Sequence, residues 1–137
     1  MNDPNLIQKI LSETKTIAVV GFSSKPQKAG YYVPAYLQRQ GFKIFPVNPR
    51  LTAPVLGEMP YASLADLPAP VDLVLIFQRS ENVPPFVDAA IVLSAKAVWM
   101  QSGIYNEQAA ENALEAAIDV VMDACMMVED RKYRHTI

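Results

Sequence analysis

From Thr16 to Arg50 the chain reads strand, polar loop, helix, strand, and that succession leaves it few folds to choose from. Ile17-Ala18-Val19-Val20 is a short apolar run rich in β-branched residues, and it stops at Gly21. The loop Phe22 to Ala29 follows and ends at Gly30. Val33, Tyr36 and Leu37 then recur at helical spacing until Gly41, a glycine where a helix terminus favours one. Lys43-Ile44-Phe45-Pro46-Val47 is the return strand, and it runs into Asn48-Pro49-Arg50. Two parallel strands joined by a helix deliver the loop after the first strand to a helix N-terminus. There, free backbone N–H groups and the helix dipole attract phosphate.

The loop excludes several chemistries. A dinucleotide fingerprint spaces glycines as G-x-G-x-x-G, but Ser23 stands where the second glycine belongs. No Gly-Lys-Ser/Thr closes it as a P-loop. Gly21-Phe22-Ser23-Ser24-Lys25 starts like a nucleophile elbow, but lysine at position 25 replaces the glycine that the tight turn needs. Two readings stay open. One is an ordinary solvated loop; the other is a cradle in which Ser23, Ser24, Lys25 and Lys28 surround a pyrophosphate with donors and positive charge.

The end of the second strand bears on that choice. Enzymes that read the free ribose of NAD place an Asp or Glu there. Here neutral Asn48 is followed by cationic Arg50, which tolerates a phosphorylated ribose, as in NADP or coenzyme A (CoA). Asn48-Pro49 is also a turn in its own right.

Downstream, the chain alternates as an α/β protein does. Residues 5–13 carry Leu6, Ile7, Ile10 and Leu11, an amphipathic helix ahead of the first strand. Val71 to Phe77 is nearly continuous in apolar residues, as a strand covered on both faces must be. Val83, Val87, Ala90 and Ile91 mark a helix with Pro84-Pro85 in its first turn. Lys96 to Met100 is a fourth strand, Asn106 caps a further helix, and Val120-Val121-Met122 is a fifth strand. The proline-rich segment from Leu51 to Pro70 is expected to be a connection with at most one short strand and one helical turn. Pro46 cannot donate to a ladder, so its strand belongs at an edge, with the loose segment from Ala53 to Gly57 on the weak side.

With 137 residues, 51% hydrophobic and 19% charged, the chain is expected to be one domain spanning 1–137. A net charge of −2 argues against a nucleic-acid partner. The basic cluster from Arg131 to His135 reads as a solvated tail. No apolar stretch is long enough for a membrane span, and Met1 to Pro4 lacks a signal-peptide pattern. A single cysteine suits a reducing compartment, so a cytoplasmic location is expected.

Taken in order, Gly21-Phe22-Ser23-Ser24-Lys25-Pro26 with Lys28 and Gly30, Val47-Asn48-Pro49, Trp99-Met100-Gln101-Ser102-Gly103 and Met122-Asp123-Ala124-Cys125 resemble the small stand-alone CoA-binding proteins. These are similar to the N-terminal domain of the succinyl-CoA synthetase α subunit. The resemblance covers roughly residues 5–133. It implies a Rossmann-like, doubly wound, mainly parallel five-stranded sheet with helices on both faces, and CoA or an acyl-CoA lying across the strand ends. By that resemblance the loop Gly21, Phe22, Ser23, Ser24 and Lys28 hold the pyrophosphate, and Asn48 and Arg50 the adenosine end. Phe77, Gln78 and Arg79 line the adenine side, and Gln101, Ser102 and Gly103 the far side of the crevice. Gly21→Val is then expected to abolish binding in a folded protein.

Few residues could carry catalysis. One Cys and one His, at position 135, give neither a metal set nor a triad, so no catalytic or metal-binding residue is assigned. Glu81, Glu107 and Glu111 fall near helix starts or on helix faces, and Asp72 caps the entrance to a strand. Ligase catalysis in the similar family relies on a phosphorylated histidine in a second domain and on a partner subunit, so ligase activity by these 137 residues alone is not expected. Cys125 reads either as a small core residue among methionines or as a thiol facing the pantetheine end of CoA. The functional readings are a non-catalytic CoA-binding or regulatory module, an NADP-dependent oxidoreductase, and an interaction domain that has lost its ligand.

Overall fold

Five short runs rich in Val, Ile and Leu become five strands in the computed structural model, which describes residues 2–136. They are β1 (Thr16–Val20), β2 (Lys43–Val47), β3 (Leu73–Ile76), β4 (Ala97–Met100) and β5 (Asp119–Val121), all parallel, in the order β2-β1-β3-β4-β5. Parallel strands need a crossover between them, and the crossovers cover both faces of the sheet. This is the α/β Rossmann-like arrangement. Successive residues of a strand face opposite ways. Ile17, Val19, Leu73, Leu75 and Trp99 therefore meet α1 (Pro4–Glu13), α2 (Ala29–Arg39) and α5 (Met126–Thr136). Ala18, Val20, Val74, Ile76, Val98 and Met100 meet α3 (Pro84–Val92), α4 (Glu107–Glu115) and a 3-10 turn at Leu64–Asp66.

Local chemistry fixes the ends of these elements. Asp3 caps α1 by accepting from the Asn5 N–H, and Asn106 caps α4 by accepting from the Ala109 N–H at 3.0 Å. Asp72 caps a strand entrance, as its sequence position implied. Its carboxylate accepts from the backbone N–H groups of Lys15 and Thr16 at 2.8 and 3.1 Å, while the Thr16 hydroxyl accepts from the Asp72 N–H. Burial would raise the Asp72 pKa, but these two N–H groups and the nearby Lys96 ammonium outweigh it and hold the pKa below its ordinary value. The Asp72 carboxylate is thereby committed to structure.

β2 is an edge strand, as Pro46 requires. The Pro46 carbonyl faces away from β1 and accepts from the Tyr61 N–H, which puts its donorless nitrogen on the outer side as well. The outer neighbour is not residues 53–57. Tyr61 makes a single bridge to Val47, while Val55 and Glu58 bond each other across a tight hairpin. Residues 51–70 otherwise form the connection with one short helical turn that the prolines indicated.

The basic C-terminal cluster is not a solvated tail. Residues 126–136 form α5, which docks on α1 and α2. Asp130, 1% exposed, accepts from the Tyr36 hydroxyl at 2.8 Å and from Arg134 at 2.6 Å, and the Arg131 guanidinium lies over the Tyr36 ring. Burial, followed by the hydrogen bond to Asp130, raises the Tyr36 pKa. An inward carboxylate makes this stripe read as polar, which conceals the helix in the sequence.

Candidate functional site

The strand order sets where a ligand can lie. From β1 the chain crosses to β2 through α2 on one face, and from β3 it crosses to β4 through α3 on the other. The loops after β1 and β3 therefore part, and a crevice opens at the carboxyl ends of the strands. It encloses about 770 Å³. Val20, Val47, Leu64, Phe86 and Ala89 supply apolar wall, and Asn48, Gln78, Asn82, Arg50 and Arg79 supply polar groups. No Asp or Glu lines it. Neither Arg50 nor Arg79 enters an ion pair among the described residues.

The loop after β1 is tied to α2 by an unusual exchange. Pro34 sits inside α2 and has no N–H to give the carbonyl of Gly30 four residues earlier. The N–H of Ser23 takes that carbonyl instead, at 3.1 Å. The approach is close: a Cβ on Gly30 would lie 3.1 Å from the Gly21 carbonyl oxygen. The Ser23 hydroxyl accepts from the Lys25 N–H and the Lys25 carbonyl from the Lys28 N–H, forming a turn that leads into α2. No side chain caps the α2 N-terminus, and Lys25 and Lys28 are exposed beside it. Positive potential thus gathers at one end of a chain whose net charge is negative.

Asn48 joins the loop to the end of β2. Its amide donates to the Phe22 carbonyl at 2.8 Å, and its side-chain oxygen accepts from the Arg50 N–H at 2.9 Å. The Asn48 side chain therefore positions Arg50 as well as lining the crevice. Gly21 has φ +81°, and a Cβ there would lie 2.2 Å from the backbone oxygen of Phe77. The expectation for Gly21→Val changes accordingly. The added side chain meets the backbone just after β3 rather than open ligand space, so the substitution strains the fold itself.

Of the residues singled out in the sequence, Gly21, Asn48, Arg50, Phe77 and Arg79 meet at the crevice. Phe22 does not show its ring there. It is fully buried, edge-on to Tyr31 at 5.9 Å, and offers only backbone. Ser24 lines a second groove that shares Arg50. Lys28 stands at the start of α2. Gln101 and Gly103 lie away from the crevice lining. The buried Gln101 accepts from the Met126 N–H at the start of α5, and the Gly103 N–H donates to Asp123 at 2.6 Å. Cys125 is half-buried against the core on the α5 side. Sequence reasoning missed the wall contributed by Ala62, Ser63, Leu64 and Ala65, because nothing periodic marks that proline-rich stretch. It also missed Phe86 and Ala89, whose i, i+3 spacing on a helix was the available signal.

Known proteins share this arrangement. A sequence model of the CoA binding domain matches residues 15–131. The uncharacterized protein YneT of Bacillus subtilis is 36% identical over 122 residues, which is 89% of this chain and 90% of that protein. The α subunit of an ADP-forming acetate–CoA ligase II of Pyrococcus furiosus is 44% identical over 61 residues, 44% of this chain and 13% of that subunit. Among solved structures, cell-free ID.343 from Thermus thermophilus superimposes with a TM-score of 0.90 at 37% identity, covering 96% of this chain and 98% of that one. A hypothetical protein from Pyrococcus horikoshii OT3 gives 0.91 at 36% identity, covering 96% and 92%.

Proposed function

We propose the following role for this chain, which belongs to the CoA binding domain family: it binds CoA or an acyl-CoA in the crevice above β1, β2 and β3, as a single-domain, non-catalytic binding or regulatory module of the cytoplasm. The observation that carries this reading is a crevice lined by two arginines that enter no ion pair among the described residues, with no carboxylate among its lining residues. An anionic ligand is favoured there, and the acidic partner that a free NAD ribose calls for is missing. In this reading the adenine enters between the apolar walls beside Phe77 and Arg79, with Asn48 and Arg50 at the ribose. The pyrophosphate lies on the loop Gly21 to Ser24 near Lys28, and the pantetheine arm runs toward Gln101 and Gly103. The ligase subunit named above is mostly sequence that this chain does not match, so its activity is not carried over.

Thermal shift with CoA, acetyl-CoA, NADP and NAD at equal concentration tests the reading. A ligand at a hundredfold excess over its Kd adds about 2.7 kcal/mol, which raises the melting temperature by roughly 10 °C. CoA or acetyl-CoA is expected to give the largest shift. A larger shift with NADP would favour an oxidoreductase, and no shift with any of the four would favour an interaction domain.

A further inference from the structure

The loops after β4 and β5 are laced together at the carboxyl end of the sheet. The Gly103 N–H donates to Asp123 at 2.6 Å, the Asp123 N–H to the Ile104 carbonyl at 3.0 Å, and the Trp99 indole N–H to the Ala124 carbonyl at 2.8 Å. The lacing sets Cys125 at the head of α5, where the Glu129 N–H donates to the Cys125 carbonyl at 3.0 Å and opens the helix. The Met126 N–H donates to the side-chain oxygen of Gln101 at 3.3 Å. The N–H groups of Met127 and Val128 make no hydrogen bond among the described residues.

Gln101 sets this helix start apart. It is 4% exposed, yet its side-chain NH2 has no acceptor among the described residues. A buried amide donor without a partner is costly. Among the described residues, Asp130 Oδ1 is the one side-chain polar atom sealed in without a partner, so the Gln101 nitrogen reaches open space. The oxygen of the same carboxamide is fixed on the residue that follows Cys125, which keeps the NH2 beside that cysteine. The half-buried Cys125 thiol makes no hydrogen bond among the described residues either. A nucleophile and donors that await an oxygen thus gather at one helix end.

We propose that Cys125 is an acyl acceptor: an acyl-CoA bound to the chain transfers its acyl group to the Cys125 sulfur. The proposal rests on CoA binding in the crevice and adds a covalent step to it. β5 lies three strand spacings from β1, about 14 Å, a reach that an extended pantetheine arm covers. The sulfur attacks the thioester carbonyl carbon, and the carbonyl oxygen becomes an oxyanion that accepts from the Gln101 NH2 and the free α5 N–H groups. The helix dipole favours negative charge at that end. The bond from the acyl carbon to the CoA sulfur then breaks. The cysteine proton goes to solvent, and the departing CoA thiolate takes one back. One thioester replaces another, so the exchange needs no oxidant, reductant or further reactant.

The test is intact-mass and peptide-mapping mass spectrometry of the full chain after incubation with saturating acetyl-CoA, with calorimetric titration of acetyl-CoA alongside. One acetyl group is expected on Cys125, removable by neutral hydroxylamine as a thioester is and absent from Cys125→Ser. S-acetyl-N-acetylcysteamine, a thioester without the nucleotide, at equal concentration is expected to label Cys125 about a hundredfold more slowly, because it is not held in place. Gln101→Glu keeps an acceptor for the Met126 N–H but removes the NH2, and is expected to slow labelling at saturating acetyl-CoA by at least about tenfold. No adduct on a chain that binds acetyl-CoA, an adduct on lysine alone, equal rates with the two thioesters, or an undiminished rate in Gln101→Glu would overturn the proposal while leaving the crevice intact. Absence of acetyl-CoA binding in the calorimeter would overturn the reading of the crevice and this step with it. Mapping the label on the wild-type chain decides the acceptor even where a variant does not fold.

Discussion

Gly21→Ala should destabilise the fold far more than Gly103→Ala, although both glycines are left-handed, with φ +81° and +83°. Either substitution incurs about 1–2 kcal/mol for an L side chain in that region. At Gly103 a Cβ meets nothing within 4 Å, so the loss ends there. At Gly21 the Cβ lies 2.2 Å from the Phe77 backbone oxygen, well inside any real Cβ contact. The ends of β1 and β3 must then move apart, against overpacking of about 1–3 kcal/mol. The hydrogen bond from the Phe77 N–H to the Val20 carbonyl, 2.9 Å long, lies at that point, and losing it adds about 0.5–1.5 kcal/mol. The two variants should therefore differ by about 1.5–4.5 kcal/mol, a large share of the 5–15 kcal/mol that holds an ordinary domain folded. Urea unfolding followed by far-ultraviolet circular dichroism measures both. Equal losses would mean that β1 and β3 do not approach as described, and that Gly21 is needed only for its backbone angle.

Asp72→Asn should lose stability at neutral pH, by about 1–3 kcal/mol, because two backbone N–H groups trade a charged acceptor for a neutral one. Folding depresses the Asp72 pKa, so its contribution is complete above the unfolded-state value and drains away as pH falls through the folded value. The gap between variant and wild type in urea melts should close at acid pH; a gap independent of pH would show that the charge contributes nothing. Tyr36→Phe removes one of two donors to the Asp130 carboxylate, whose other oxygen already lacks a partner, and should cost about 1–3 kcal/mol, whereas Tyr32→Phe at the surface should cost nothing measurable. A silent Tyr36→Phe in thermal melts would mean that α5 is held by apolar contacts alone. Pro34→Ala returns a helical donor to the Gly30 carbonyl, so the Ser23 N–H should exchange faster with solvent deuterium; unchanged protection would mean that the loop is fixed by Asn48 instead.

The fold was legible wherever burial leaves a periodic trace. Leu73–Ile76 is apolar at every position because both faces are covered, and β2 could be set at an edge from Pro46 alone. α5 was not legible, because Asp130 occupies an inward position and its partners, Tyr36 and Arg134, are known only once the chain is folded. The crevice was half legible. Gly21, Asn48 and Arg50 follow strands, where a parallel sheet presents its ligand-facing loops. Leu64 and Ala65 come from an irregular connection with no period to read. Pro34 lies inside the helix that Val33, Tyr36 and Leu37 mark in the sequence. Its effect, freeing one carbonyl for the loop, depends on a contact between residues 23 and 30 that no local pattern announces.

Blocking the crevice tests its assignment most directly. Ala65 is exposed on the 3-10 turn and lines the cavity, so Ala65→Trp fills the cavity without entering the core. Calorimetric titration of CoA into wild type and Ala65→Trp, with folding checked by circular dichroism, should show binding to the first and at least a tenfold loss in the second. Undiminished CoA affinity in a folded Ala65→Trp protein would place the ligand elsewhere on the chain and contradict the assignment of the crevice.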